Sequence, residues 1–136
     1  MKVTRHVSRE MAFILLFEYL VKGDETAEEI WENSVEYPEL KKSPYAVDLF
    51  FGCVNSAKEI DALIDRSLVG WRRERVSFVS RATLMIAVFE MMNFEDVPYK
   101  VAIDEAITLS KKFEGGNAYT FVNGVLNAVA ESLSLK

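Results

Sequence analysis

The stretch Val76-Ser77-Phe78-Val79-Ser80-Arg81-Ala82-Thr83-Leu84-Met85-Ile86-Ala87-Val88-Phe89-Glu90-Met91-Met92-Asn93 decides the fold. It holds no glycine or proline. Val79, Ala82, Leu84, Ile86, Ala87, Val88, Phe89 and Met91 make it apolar on nearly every side of a 3.6-residue period. A helix with no polar face has to be covered all round, which places this one in the middle of a bundle. The flanking sequence supplies the cover. Only six Gly and three Pro punctuate the chain, and most of them fall between long periodic segments rather than at the close spacing of hairpins.

Upstream, a helix is predicted from about Ser8 to Lys22, stopped by Gly23. Ala12, Leu15, Leu16 and Tyr19 form one stripe, widened by Phe13, Phe17 and Leu20. Thr26 and Glu29 make a capping box for a short second helix. Tyr37-Pro38 and Lys41-Lys42 read as loop. Ser43 then reads as an N-cap, with Pro44 at the first helical position, where its missing N–H costs nothing. A long helix is predicted from Pro44 to about Trp71, ended by Gly70-Trp71-Arg72-Arg73-Glu74-Arg75. Downstream, Val97-Pro98 opens a helix to Phe113, with Val101, Ile103, Ala106, Ile107 and Ser110 facing inward. Gly115-Gly116 ends it, and Asn117 caps a last helix carrying Val122, Val125, Leu126, Val129 and Leu133. The expectation is an all-α bundle of about six or seven helices, in one domain over residues 1–136.

With 136 residues, half of them hydrophobic and 27% charged, the chain suits one folded domain. A net charge of −5 argues against coating nucleic acid by bulk charge and leaves room for a local basic site. A lone Cys53 and the lack of a long apolar run point to a cytoplasmic protein with no membrane span. Catalytic constellations are thin. His6 has no metal-ligating neighbour, Cys53 lies on an apolar face, and no glycine-rich phosphate loop precedes a helix. Asp61 and Asp65 share a face at i, i+4 without an accompanying Glu-x-x-His, so a solvated face is the plainer reading. No enzyme, cofactor or metal is expected, and spacing alone stops at a helical binding module.

Two motifs go further. Residues 97–113, Val-Pro-Tyr-Lys-Val-Ala-Ile-Asp-Glu-Ala-Ile-Thr-Leu-Ser-Lys-Lys-Phe, are followed by Phe121-Val122-Asn123-Gly124-Val125-Leu126-Asn127. Together they resemble the (I/V)-P-x-x-V-A-I-(N/D)-E-A and K-F-V-N-G-(V/I)-L-D signatures of the NusB family of bacterial transcription antitermination factors. Arg9-Glu10-x-Ala12 with Leu16-Phe17, and Trp71-x-x-x-Arg75 with the segment 81–90, extend the likeness along the chain. The resemblance implies two three-helix halves and binding of boxA-type single-stranded RNA together with NusE, a small-subunit ribosomal protein. It places the pair in RNA polymerase antitermination complexes acting in ribosomal RNA synthesis. A NusB-like domain also precedes ribosomal RNA methyltransferases. With fifteen residues after Phe121, the free-standing factor is the expected form, as a monomer or weak homodimer.

The sequence departs from the family pattern where RNA affinity is at issue. The amino-terminal arginine cluster is thinned to Lys2, Arg5 and Arg9 with His6, and Thr120 stands for the signature lysine, Met85 for an arginine and Asn127 for an aspartate. Each lost cation removes a phosphate contact and its counterion release. Seven acids between Asp24 and Glu39, with no base among them, contrast with three bases and no acid in residues 1–9. Lys2, Arg5 and Arg9 are the expected phosphate contacts, read as mobile or near-terminal cations; a frayed, solvated terminus is the other reading. Asn117, Thr120 and Phe121, at the start of the last helix, are the expected base contacts, with Phe121 either a stacking platform or part of the core. Gly124, inside that helix, suggests close packing against a neighbour ahead of the other reading, close approach of a ligand. Phe17 with Ser80-Arg81 is the expected exposed surface for NusE, and Arg72, Arg73 and Arg75 are either a further phosphate contact or a solvated loop. The alternative to an RNA-binding factor is a protein-interaction module of the same fold with little RNA affinity of its own.

Overall fold

The computed structural model describes residues 3–34, 43–70 and 72–136. Lys2, the Tyr37-Pro38 and Lys41-Lys42 loop and Trp71 therefore lie outside the described residues. Seven α-helices and no strand are found among those described: α1 Arg5–Lys22, α2 Ala27–Glu32, α3 Pro44–Asn55, α4 Ala57–Arg66, α5 Phe78–Asn93, α6 Tyr99–Phe113 and α7 Ala118–Ser132, with a 3-10 turn at Arg73–Arg75. The fold is all-α. No described helix is long and apolar enough to cross a membrane.

The local signals that start and stop these helices act as the side chains dictate. The Thr26–Glu29 capping box forms in both directions, and Ser43 and Ser77 each accept an amide N–H from the first turn of the helix they open. Gly23 takes φ 73°, the left-handed conformation in which its missing β-carbon removes the steric penalty, and closes α1.

From Ala82 to Met91 every residue of α5 is buried. The helix packs against α1, α3 and α4 and against α6 and α7, so the group α1–α3 and the group α5–α7 meet at α5 itself. Phe50, Leu15, Leu16, Leu84, Ile86 and Leu126 are among the fully buried large side chains. Cys53 sits in this core, and burial pushes its thiol pKa far above the usual range.

Two expectations are corrected. The long helix from Pro44 to about Trp71 is two helices, broken at Ser56, whose φ of −105° and ψ of 16° leave the helical region. The reason is tertiary. The first piece packs chiefly against α1 and α5, the second against α5 and α7, and one straight rod cannot present its apolar stripe to both sets. Val101, expected to face inward, is 41% exposed.

Candidate nucleic-acid interface

At the amino terminus Thr4 accepts the N–H of Val7, so α1 begins at Arg5 rather than near Ser8. Arg5 and Arg9 are therefore helical and one turn apart, not part of a loose arm. The Arg5 guanidinium donates to Asp96 at 2.7 Å and lies 4.8 Å over the ring of Tyr45. This hydrogen bond raises the Arg5 pKa and holds the Asp96 carboxyl below its ordinary range. Both side chains are about half or more exposed, so the pair adds little to stability. His6 Nδ1 lies 2.9 Å from Glu105 and Nε2 3.4 Å from Glu10. The contact to Glu105 ties α1 to α6.

Arg9 corrects the reading of the arm as mobile. It is buried, its Nε donates to both oxygens of Glu90 at 3.1 and 3.0 Å, and Nη2 stands 2.9 Å from Oε2. Burial acts to lower the pKa of this guanidinium, and the hydrogen bond and charge of Glu90 outweigh it, leaving the group fully cationic. The Tyr45 hydroxyl donates to the same carboxylate, and burial followed by that bond pushes the tyrosine well above its usual range. A guanidinium so enclosed is a structural element with no free face for a phosphate.

At the start of α7, Gly115 and Gly116 take φ 79° and 58°, which turn the chain sharply between α6 and α7. Asn117 occupies the N-cap but its side chain makes no capping bond, so the first-turn amides meet no side-chain acceptor there. Asn117 and Thr120 are exposed and Phe121 is half-buried, packed against the core on one side. The structure thus brings these three together. Lys111, which the sequence reading missed, lies beside them with its Nζ 4.6 Å over the Tyr119 ring. Its i, i+8 separation from Tyr119 across a glycine turn gives no helical periodicity to find it by.

Gly124 is a second correction. A β-carbon built there would meet nothing within 4 Å, so no described helix packs close against it. It lies on an outward hollow shared with Ser67, Val69, Thr120, Phe121 and Ala128.

The expected partner surface divides. Ser80 is buried and hydrogen-bonds the Glu114 carboxylate, as Ser77 does, so it offers no exposed group; the hydroxyl is spent on holding α5 to the end of α6. Phe17 is half-buried and stacks on Phe13 with ring centroids 6.2 Å apart. Arg81 is a quarter exposed and 3.9 Å from Asp61. Phe78, one turn earlier on α5, is 44% exposed and was missed because the all-round apolar pattern gives no outward face. Asp61 and Asp65 are bridged by Arg73 at 3.2 and 3.4 Å, which makes them counter-ions rather than a poised acid–base pair.

Comparison with known proteins matches this geometry to one family. The NusB family profile matches residues 6–131. The transcription antitermination protein NusB of Geobacillus kaustophilus is 40% identical over 129 residues, covering 95% of this chain and 97% of its own. The solved NusB of T. maritima superposes with a TM-score of 0.85 at 34% identity, over 96% of this chain and 93% of that one. A chain from a crystal structure of the antitermination factors NusB and NusE in complex with double-stranded RNA gives a TM-score of 0.81 at 27% identity, over 94% and 96%. The chain belongs to the NusB family.

Proposed function

We propose that this chain is a cytoplasmic transcription antitermination factor that binds boxA-type single-stranded RNA cooperatively with NusE. Residues 1–136 act as one NusB-like domain within RNA polymerase antitermination complexes, by binding and not by catalysis. The observation that carries this reading is the correspondence, along nearly the whole chain, with a NusB found beside NusE and RNA. The local geometry supports it: Asn117 and Thr120 offer an amide and a hydroxyl to base edges beside the half-buried ring of Phe121. Arg5, displaced from Asp96, and Lys2 supply phosphate contacts; Phe17 and Arg81 face NusE.

A gel-shift series with a short boxA-type RNA, with and without purified NusE, tests it. Weak binding alone and tight binding with NusE is the expected result. A second reading, a protein-interaction module with little RNA affinity, is favoured by the burial of Arg9 and the pairing of Arg5. It predicts a complex with NusE that shifts no RNA.

A further inference from the structure

The seven arginines fall into two sets. Arg5 is paired with Asp96, Arg9 with Glu90, Arg73 with Asp61 and Asp65, and Arg81 with Asp61. Arg66, Arg72 and Arg75 are exposed and have no ion-pair partner among the described residues. Arg66 ends α4, and Arg72 and Arg75 flank and close the 3-10 turn that follows. The segment 66–75 holds four arginines and one glutamate in a chain of net charge −5.

This segment also stands beside the start of α7. Ser67 and Val69 share one hollow with Thr120, Phe121 and Gly124. Arg75 shares a second with Ala118 and Phe121, so the segment meets the Phe121 ring from two hollows, with Arg75 itself lining one of them. Of the nearby acids, Asp65 is engaged by Arg73, and Glu114 by the hydroxyls of Ser77 and Ser80; Glu74 has no ion-pair partner among the described residues.

We propose that the RNA backbone crosses the 66–75 segment, its phosphates held by Arg66, Arg72 and Arg75, with the α7 start reading the bases. Phosphate affinity is sequence-blind and requires cations free to give up water and counterions to the ligand. On α1, Arg5 and Arg9 are held by carboxylates that a phosphate has to displace; on the 66–75 segment three arginines are not. The proposal rests on the reading of the α7 start as the base-binding site, and it moves most of the electrostatic contact away from the amino terminus.

The test is the salt dependence of binding by the full chain with NusE and a boxA-type RNA, between about 50 and about 200 mM salt. Substituting Arg66→Ala, Arg72→Ala and Arg75→Ala together should reduce the slope of log K against log salt by about two units, at ~0.7 per phosphate on a single strand. It should weaken boxA and scrambled RNA alike. Replacing the same residues with lysine should restore most of the slope, since a point charge serves a phosphate. Because all three side chains are exposed, circular dichroism should be unchanged. An unaltered slope in the alanine variant, with Phe121→Ala still weakening binding, overturns the proposal and leaves the base site standing. A slope that falls with Arg5→Ala instead also overturns it. If Phe121→Ala has no effect either, the reading of the α7 start fails as well.

Discussion

Arg9 on α1 and Glu90 on α5 face each other at 2.9 Å with side-chain exposures of only 5% and 1%. The pair is 81 positions apart in sequence and joins the two groups of helices across their boundary. Tyr45 from α3 donates to the same carboxylate, and Glu105 from α6 lies 3.6 Å from the guanidinium, so four helices meet at one charge cluster. Breaking such a pair costs far more than forming it gains, because the survivor is left charged in the interior.

Arg9→Ala is therefore expected to destabilise the fold by about 3–5 kcal/mol. Urea unfolding followed by circular dichroism measures it. Arg9→Met with Glu90→Leu, which removes both charges and keeps apolar volume, should recover a large part of the loss. A double variant no better than the single would mean the cost lies in packing.

Two glycines should respond in opposite directions to alanine. A β-carbon on Gly52 would run into the ring of Phe89, which is wedged against Phe94, so Gly52→Ala should cost about 1–3 kcal/mol by overpacking. Gly124 has open space around its missing side chain and an ordinary helical position. Gly124→Ala should raise stability by about 0.5–1 kcal/mol through helix propensity alone. Thermal melts of the two variants side by side check both signs.

Alkaline pH should unfold the protein through Tyr45. Its folded pKa is raised above the ordinary 10.0 by burial and by its bond to Glu90. With a raised folded value, the contribution is fully present below about pH 10 and is lost as pH rises beyond it. Absorbance titration should show one of the five tyrosines staying un-ionised past the range of the others, until the fold is lost. Five tyrosines ionising together, with the helices intact, would contradict the buried bond.

Phe121→Ala should lower RNA affinity by about 1–3 kcal/mol, the usual contribution of one base–aromatic stack, and leave the salt slope unchanged. Fluorescence anisotropy with labelled RNA across a salt series separates the two effects. A changed slope would mean the substitution had disturbed the neighbouring cations.

Much of the architecture was legible in sequence, because the signals involved are local. Gly23, Ser43-Pro44 and the Thr26–Glu29 box act within one helical turn, and the all-apolar run after Arg81 fixes α5 at the centre. What escaped depends on partners remote in sequence. The break at Ser56 follows from two packing surfaces that the stripe of one helix cannot reveal. An arginine among amino-terminal bases looks solvated until Glu90 is placed against it. Gly124 invited a packing explanation, and only three dimensions show that none of the described residues approaches it. In the candidate site, Asn117, Thr120 and Phe121 were legible through the motif and the glycine turn before it. Lys111 and the distinction between free and paired arginines were not, since pairing is a property of the folded surface.

The charge cluster around Arg9 also bears on the order of synthesis. The amino-terminal helices leave the ribosome first, with Arg9 and Tyr45 already made and Glu90 still untranslated. Until α5 emerges, the cation meant for the interior has no counter-charge, and closing α1 onto α3 would strand it. Helices α1 and α3 are therefore expected to close onto one another only when α5 arrives. A ribosome-bound chain truncated before residue 78 should stay protease-sensitive along α1, and one long enough for α5 to have cleared the ribosome should not.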